Sequence, residues 1–274
     1  MISKKLDTIF KKGSTTYYYS SLFFPPDVKK DVFILYSFVR TADDFVDGIP
    51  AKKKDFTQFV QDYYAGINKG GSENTIIQDF ILLQRRKGFK QEWIDAFLDV
   101  MKQDLTKKKY SNERELEEYM YGSAGVVGLM MAKILNLPAK SMQSAQLLGK
   151  AMQYINFIRD VQEDLSLGRM YFPQNILKKY GLKTLQYDEV QKNEQVFRTF
   201  IFDEISRYQT WINEAQLGFK HIPKRYLIPI KTASNMYDWT AQSILKNPMI
   251  IYEKKVKPKP MRVILEVIKN SLIT

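Results

Sequence analysis

The 274 residues (32.2 kDa) carry 42 Lys and Arg against 30 Asp and Glu, a formal charge of +12. The absence of Cys and the single His exclude a disulfide scaffold, thiolate catalysis, Cys-ligated zinc or iron–sulfur sites and a His-based metal triad. A hydrophobic share of 45% excludes a disordered chain, and the positive balance favours an anionic partner: nucleic acid, an acidic membrane or a phosphorylated small molecule.

The start, MISKKLDTIFKKG, lacks the apolar stretch of a secretory signal. Residues 28–46 place Val32, Leu35, Tyr36, Val39 and Ala42 at helical spacing. Pro25 and Pro26 precede them, Asp27 is the expected N-cap, and Gly48 and Pro50 end the helix. Further helices are predicted over 53–67, 73–86 and 90–103, with GINKGGSEN as a loop. The helix predicted over 111–135 opens on Ser111 with Glu113 and Glu115. Its apolar run Val126–Met131 stops near Lys133, well short of the roughly 18 residues that span a membrane. A long helix follows over 139–165, then a polar loop with Gly168 and Pro173, then helices over 187–217, 223–246 and 259–272. Strand-like alternation is nearly absent, so residues 1–274 are expected to form one all-α helical bundle.

Two segments carry the chemistry. One is Arg40-Thr41-Ala42-Asp43-Asp44-Phe45-Val46-Asp47, and the other runs from Asn156 through Arg159 and Asp160 to Asp164. Each sets two Asp four residues apart, on one helix face, with an Arg just before the first. Phe45, Val46, Ile155, Phe157, Ile158 and Val161 surround them, and uncompensated carboxylates in such a setting are costly. Hard carboxylate oxygens suit Mg²⁺, which keeps waters and bridges to phosphates, and Arg suits a diphosphate. One such pair alone reads as a solvated acidic face; two, each with Arg and each in an apolar helix, favour a metal–diphosphate site.

At these residues the sequence resembles the squalene/phytoene synthase family, the head-to-head prenyl synthases. LYSFVRTADDFVDG (35–48) is similar to the family's first aspartate-rich signature, and QYINFIRDVQEDLSLGRMYFP (153–173) to the second. YGSAGVVGLM (121–130) resembles its glycine-rich stretch, and STTYYYSSLFFP (14–25) its opening segment. The resemblance implies an isoprenoid-synthase helical fold with a central cavity. It implies that Asp43 and Asp47 on one wall, and Asn156, Asp160 and Asp164 on the other, hold Mg²⁺. Diphosphate or the reacting prenyl ends would meet Ser14, Thr15, Thr16, Tyr36, Arg40, Gln153, Arg159, Arg169 and Tyr237. Tyr121, with Arg40 and Arg159, would serve the cation chemistry, and Lys254 or Lys255 would supply a late basic group.

The implied reaction joins two prenyl diphosphates through a cyclopropylcarbinyl diphosphate. Two geranylgeranyl diphosphates would give phytoene; two farnesyl diphosphates would give dehydrosqualene, or squalene if NADPH supplied a hydride. Small Ser20 and Ser21 favour the longer substrate, and Phe33 the shorter. Gly122, Gly125 and Gly128 serve either close packing or cavity space.

The rival readings are an RNA-binding basic module, for which no signature appears, a non-catalytic subunit, and a chain-elongating or cyclising synthase. No nucleic-acid partner is therefore expected. The expected location is cytoplasmic. The basic run 252–260 and the amphipathic stretch after it read either as solvated and core-packed or as peripheral contact with the inner face of a membrane. His221 reads as a solvated residue near a helix end.

Overall fold

The computed structural model describes residues 2–273, and side chains through residue 272. In chain order the α-helices are α1 (Lys4–Gly13), α2 (Thr15–Ser21), α3 (Pro26–Asp47), α4 (Lys53–Lys69), α5 (Thr75–Lys87), α6 (Gln91–Asp104), α7 (Glu113–Met120) and α8 (Val126–Ile134). They continue with α9 (Met142–Arg159), α10 (Val161–Ser166), α11 (Gln174–Lys179), α12 (Tyr187–Lys192), α13 (Glu194–Gln216), α14 (Lys224–Lys246), α15 (Ile250–Glu253) and α16 (Pro260–Ile273). Among the described residues no strand forms; one isolated bridge joins Lys109 to Met170. The chain is all-α, as its periodicity predicts.

Helix starts follow local chemistry. Ser3 Oγ accepts from the Leu6 N–H to open α1, and Ser14 Oγ accepts from the Tyr17 N–H to open α2. Neither helix is among those expected from the sequence, although Leu6, Ile9 and Phe10 give α1 helical apolar spacing. At α3 the expected cap is corrected: Pro25 occupies the N-cap and Pro26 the first position, while Asp27 lies in the first turn, where its charge suits the helix dipole. At α7 the cap moves one residue, from Ser111 to Asn112, whose Oδ1 accepts from the Glu115 N–H. Glu115 in turn accepts from the Ser111 N–H, reproducing the reciprocal logic of a capping box one residue along.

Three long predicted helices are interrupted. The 111–135 segment contains one π-helical turn, Tyr121–Gly125, between α7 and α8. Asp160 breaks 139–165 into α9 and α10, and Asn193 separates α12 from α13.

Helices α3 and α9 are the two walls that matter. α3 buries Phe33, Leu35, Phe38, Ala42 and Val46. Phe38 stacks on Phe80 of α5 at 3.7 Å between ring centroids, a burial worth roughly 1.5–3 kcal/mol. α9 packs against α13 on one side and α8 on the other. The second contact is close because a Cβ at Gly128 would collide with the Ala145 carbonyl, and one at Gly149 with the Ala124 carbonyl. Gly122 is equally constrained: its Cβ would lie 2.7 Å from the Ala96 carbonyl of α6. Packing thus accounts for Gly122 and Gly128, whereas a Cβ at Gly125 would approach nothing nearer than the Gln146 side chain at 3.2 Å.

Candidate active site

A central cavity has two chambers. The polar one, about 760 Å³, is lined by the carboxylates and guanidiniums of α3, α9 and α10. The apolar one, about 270 Å³, extends between α3, α8, α9 and α14. Tyr17, Tyr36, Val39, Ser123, Gln153 and Asn156 line both and form the neck between them.

Asp43, Asp44, Asp47, Asp160 and Glu163 are each held by a base. Arg40 reaches Asp43 at 3.1 Å and Asp44 at 2.6 Å, one turn along α3. Arg169 is buried and pairs with Asp47, while its Nη2 donates to the carbonyls of Val46 at 3.0 Å and Asp104 at 3.3 Å. It therefore ties the loop after α10 to the ends of α3 and α6. Arg159 grips the adjacent Asp160 through Nε at 2.8 Å and Nη2 at 2.5 Å. Neighbours i and i+1 do not face each other on a helix, so this fork is compatible only with the break at Asp160. Lys255 pairs with Asp160 at 3.3 Å and also with Glu163.

The electrostatics are those of crowded acids out of water. Burial, and then the charge of Asp47, push the Asp43 carboxyl up to about 7 against the pull of Arg40. Burial and Asp160 push Asp164 up to about 8. A divalent cation between the walls would reverse both shifts.

Among the described residues, no group of three or more acids or His stands close enough to enclose a metal. The donor set nevertheless fits Mg²⁺, which takes one or two carboxylates and keeps its waters. All its side-chain donors are oxygen, and the Asn156 Oδ1 is buried without a hydrogen-bond partner in the neck, a free donor in the right chemistry.

The polar chamber brings together Ser14, Thr15, Thr16, Tyr36, Arg40, Asp43, Asp47, Gln153, Asn156, Arg159, Asp160, Asp164, Arg169 and Tyr237. Lys255 is there and Lys254 is not. The exception is Tyr121, which is 37% exposed and lines neither chamber, unlike the cavity position that the resemblance implies for it. Tyr119 stands inside instead, fully buried, donating to Asp104 Oδ2 at 2.7 Å and lying 3.3 Å from the Tyr171 hydroxyl. Helical spacing marks it: Leu116, Tyr119 and Met120 form the buried face of α7, from which Tyr121 departs. Asp104 and Tyr171 also line the chamber and are not singled out by the sequence reading. Ser20 and Ser21 line the apolar chamber as expected, whereas Phe33 does not, packing instead on Phe10 and Tyr18.

The squalene/phytoene synthase family model matches residues 10–262, a span that contains both walls. The chain belongs to that family. A chloroplastic phytoene synthase of an Oncidium hybrid cultivar is 27% identical over 90% of this chain and 62% of its own. A phytoene synthase of Thermus thermophilus is 31% identical over 66% of this chain and 62% of its own. The chain thus spans about six tenths of the length of these two relatives. Among solved structures, a dehydrosqualene synthase in complex with ligand matches with a TM-score of 0.82 at 21% identity, covering 98% of this chain and 95% of that one. This likeness shows the isoprenoid-synthase fold expected of a squalene/phytoene synthase family member.

Proposed function

We propose that the protein condenses two geranylgeranyl diphosphates head to head, with Mg²⁺ at Asp43, Asp47, Asn156, Asp160 and Asp164, and releases phytoene. The observation that carries the reading is two facing acidic walls, each paired with Arg, around a polar chamber that opens into an apolar one. Bound magnesium would neutralise the leaving diphosphate.

The rest falls to side chains of this chain. Arg40, Arg159 and Arg169 offer planar forks to diphosphate oxygens. Ser14, Thr15 and Thr16, at the start of α2, and Lys255 close the same chamber. Gln153 and Tyr36 in the neck orient the two C1 ends. The apolar chamber holds the prenyl tails and keeps water from the allylic cation formed when the C–O bond breaks. The double bond of the second substrate attacks that cation and loses a proton, giving a cyclopropylcarbinyl diphosphate. Its own ionisation, rearrangement and loss of a second proton give the hydrocarbon, so two diphosphates and two protons leave per product. Tyr17, Tyr36 and Tyr119 present aromatic faces to the cations. The Tyr119 hydroxyl, fixed by Asp104, is the group that we assign to that stage in place of Tyr121.

The phytoene names of the relatives and the serines at the chamber wall support the C20 substrate. Titration calorimetry with a non-ionising thiodiphosphate analogue of geranylgeranyl diphosphate tests the site. Binding is expected with Mg²⁺ and is expected to weaken at least tenfold without it. Equal binding with and without Mg²⁺, or binding of RNA in its place, would overturn the reading.

A further inference from the structure

Helix α16 has two apolar faces, and only one is used. Val263 and Val267 are buried against the bundle, and two hydrogen bonds fix the docking: Asn270 to Thr232 at 3.1 Å and Asn235 to Glu266 at 2.7 Å. On the opposite side Met261, Leu265, Ile268 and Leu272 are 65%, 59%, 52% and 83% exposed. At about 100° and 1.5 Å per residue these four fall within roughly 60° of one another, a single stripe about 17 Å long. Random surface apolars do not align in this way, and a helix that exposes such a stripe marks an interaction surface.

The stripe does not stand alone. α16 packs against α2, whose last turn is followed by Leu22 and Phe23, both exposed. Basic residues frame it: Lys259 just before the helix, and Arg262 and Lys269 along one flank, all exposed. Arg262 lies over the Trp239 ring at 4.8 Å. The one acid on α16, Glu266, is turned toward Asn235 and Lys269 and away from the stripe.

We infer that the outer face of α16, with Leu22 and Phe23, seats this protein on the surface of a bilayer rich in anionic lipid, α16 lying in the headgroup plane. An apolar stripe beside Lys and Arg is the pattern of an interfacial helix: the aliphatic side chains enter the acyl boundary and the basic groups reach phosphate. A second copy fits less well, because a symmetric pairing would bring Lys259, Arg262 and Lys269 of both copies together. The position relative to the cavity adds a reason that rests on the function proposed above. α2 contributes Ser20 and Ser21, and α14 contributes Ile230 and Ala233, to the apolar chamber, and α16 packs on both helices. A hydrocarbon product without polar atoms would thus have one helix layer between its chamber and lipid.

The test is co-sedimentation of the purified full chain with vesicles of phosphatidylcholine alone and of phosphatidylcholine with phosphatidylglycerol. Partition onto the phosphatidylglycerol vesicles is expected, with little onto phosphatidylcholine. L265S/I268S is expected to lower that partition about tenfold or more. K259Q/K269Q is expected to lower it about thirtyfold, with added salt acting in the same direction. These residues are exposed, and circular dichroism checks that both variants remain folded. Equal partition onto both vesicle types, or unchanged partition of both variants, would overturn the inference. So would a dimer in sedimentation velocity that L265S/I268S abolishes, since the stripe would then be a self-interface. Vesicle binding by a protein that makes no hydrocarbon would sink the proposed reaction and leave the docking face standing.

Discussion

Asp43, Asp47, Asp160 and Asp164 are legible from sequence because their chemistry is abnormal for their surroundings: acids repeated at helix spacing among Phe, Val and Ile. Tyr119 is less legible because its neighbour Tyr121 has the same side chain, and only the burial of one face of α7 separates them. Tyr119→Phe removes the hydroxyl that donates to Asp104. Turnover is expected to fall tenfold or more in a steady-state product assay, with a loss of about 1 kcal/mol in denaturant unfolding. Tyr121→Phe is expected to stay within about twofold of wild type. Asp43→Asn and Asp164→Asn remove one carboxylate from each wall. Each is expected to reduce kcat by about 10²–10³, measured at saturating Mg²⁺, with the far-ultraviolet circular dichroism unchanged.

At the scale of elements, the sequence shows which segments are helical more clearly than where the helices break. The break at Asp160 contains no Pro or Gly; it accompanies the local fork that Arg159 makes to its neighbour and the ion pair from Lys255, with Asp160 itself at φ −101° and ψ 14°. Helix α1 is legible in the helical spacing of Leu6, Ile9 and Phe10, and it positions the neck. A Cβ at Gly13 would collide with the Tyr36 hydroxyl and stand 3.1 Å from Arg40 Cδ. Gly13→Ala is therefore expected to raise KM for the prenyl diphosphate severalfold by moving these two side chains, while thermal unfolding changes little at this helix end. Gly122→Ala acts differently. Its Cβ would meet Val100 and the Ala96 carbonyl in a packed interface, and the expected result is a loss of about 1–3 kcal/mol in denaturant unfolding.

For the whole molecule, the +12 charge resides outside the cavity, because the Arg and Lys facing the polar chamber are matched there by the carboxylates of Asp43, Asp44, Asp47, Asp104, Asp160, Glu163 and Asp164. It includes the basic frame of α16, whose outer stripe the sequence marks as amphipathic without showing which side the bundle covers. No helix among the described residues is long and apolar enough to cross a membrane. Linkage provides a further prediction. Mg²⁺ together with a diphosphate analogue is expected to raise Tm in a thermal melt, by an amount that grows with ligand concentration, and EDTA is expected to reverse it.

Product analysis decides whether this chain joins prenyl diphosphates head to head, and which ones. The purified chain is incubated with Mg²⁺, detergent and labelled geranylgeranyl or farnesyl diphosphate, with and without NADPH, and the lipid extract is resolved by mass. The account predicts a C40 hydrocarbon from geranylgeranyl diphosphate without NADPH. A C30 hydrocarbon would keep head-to-head joining and overturn the substrate; no hydrocarbon from either substrate would contradict the account.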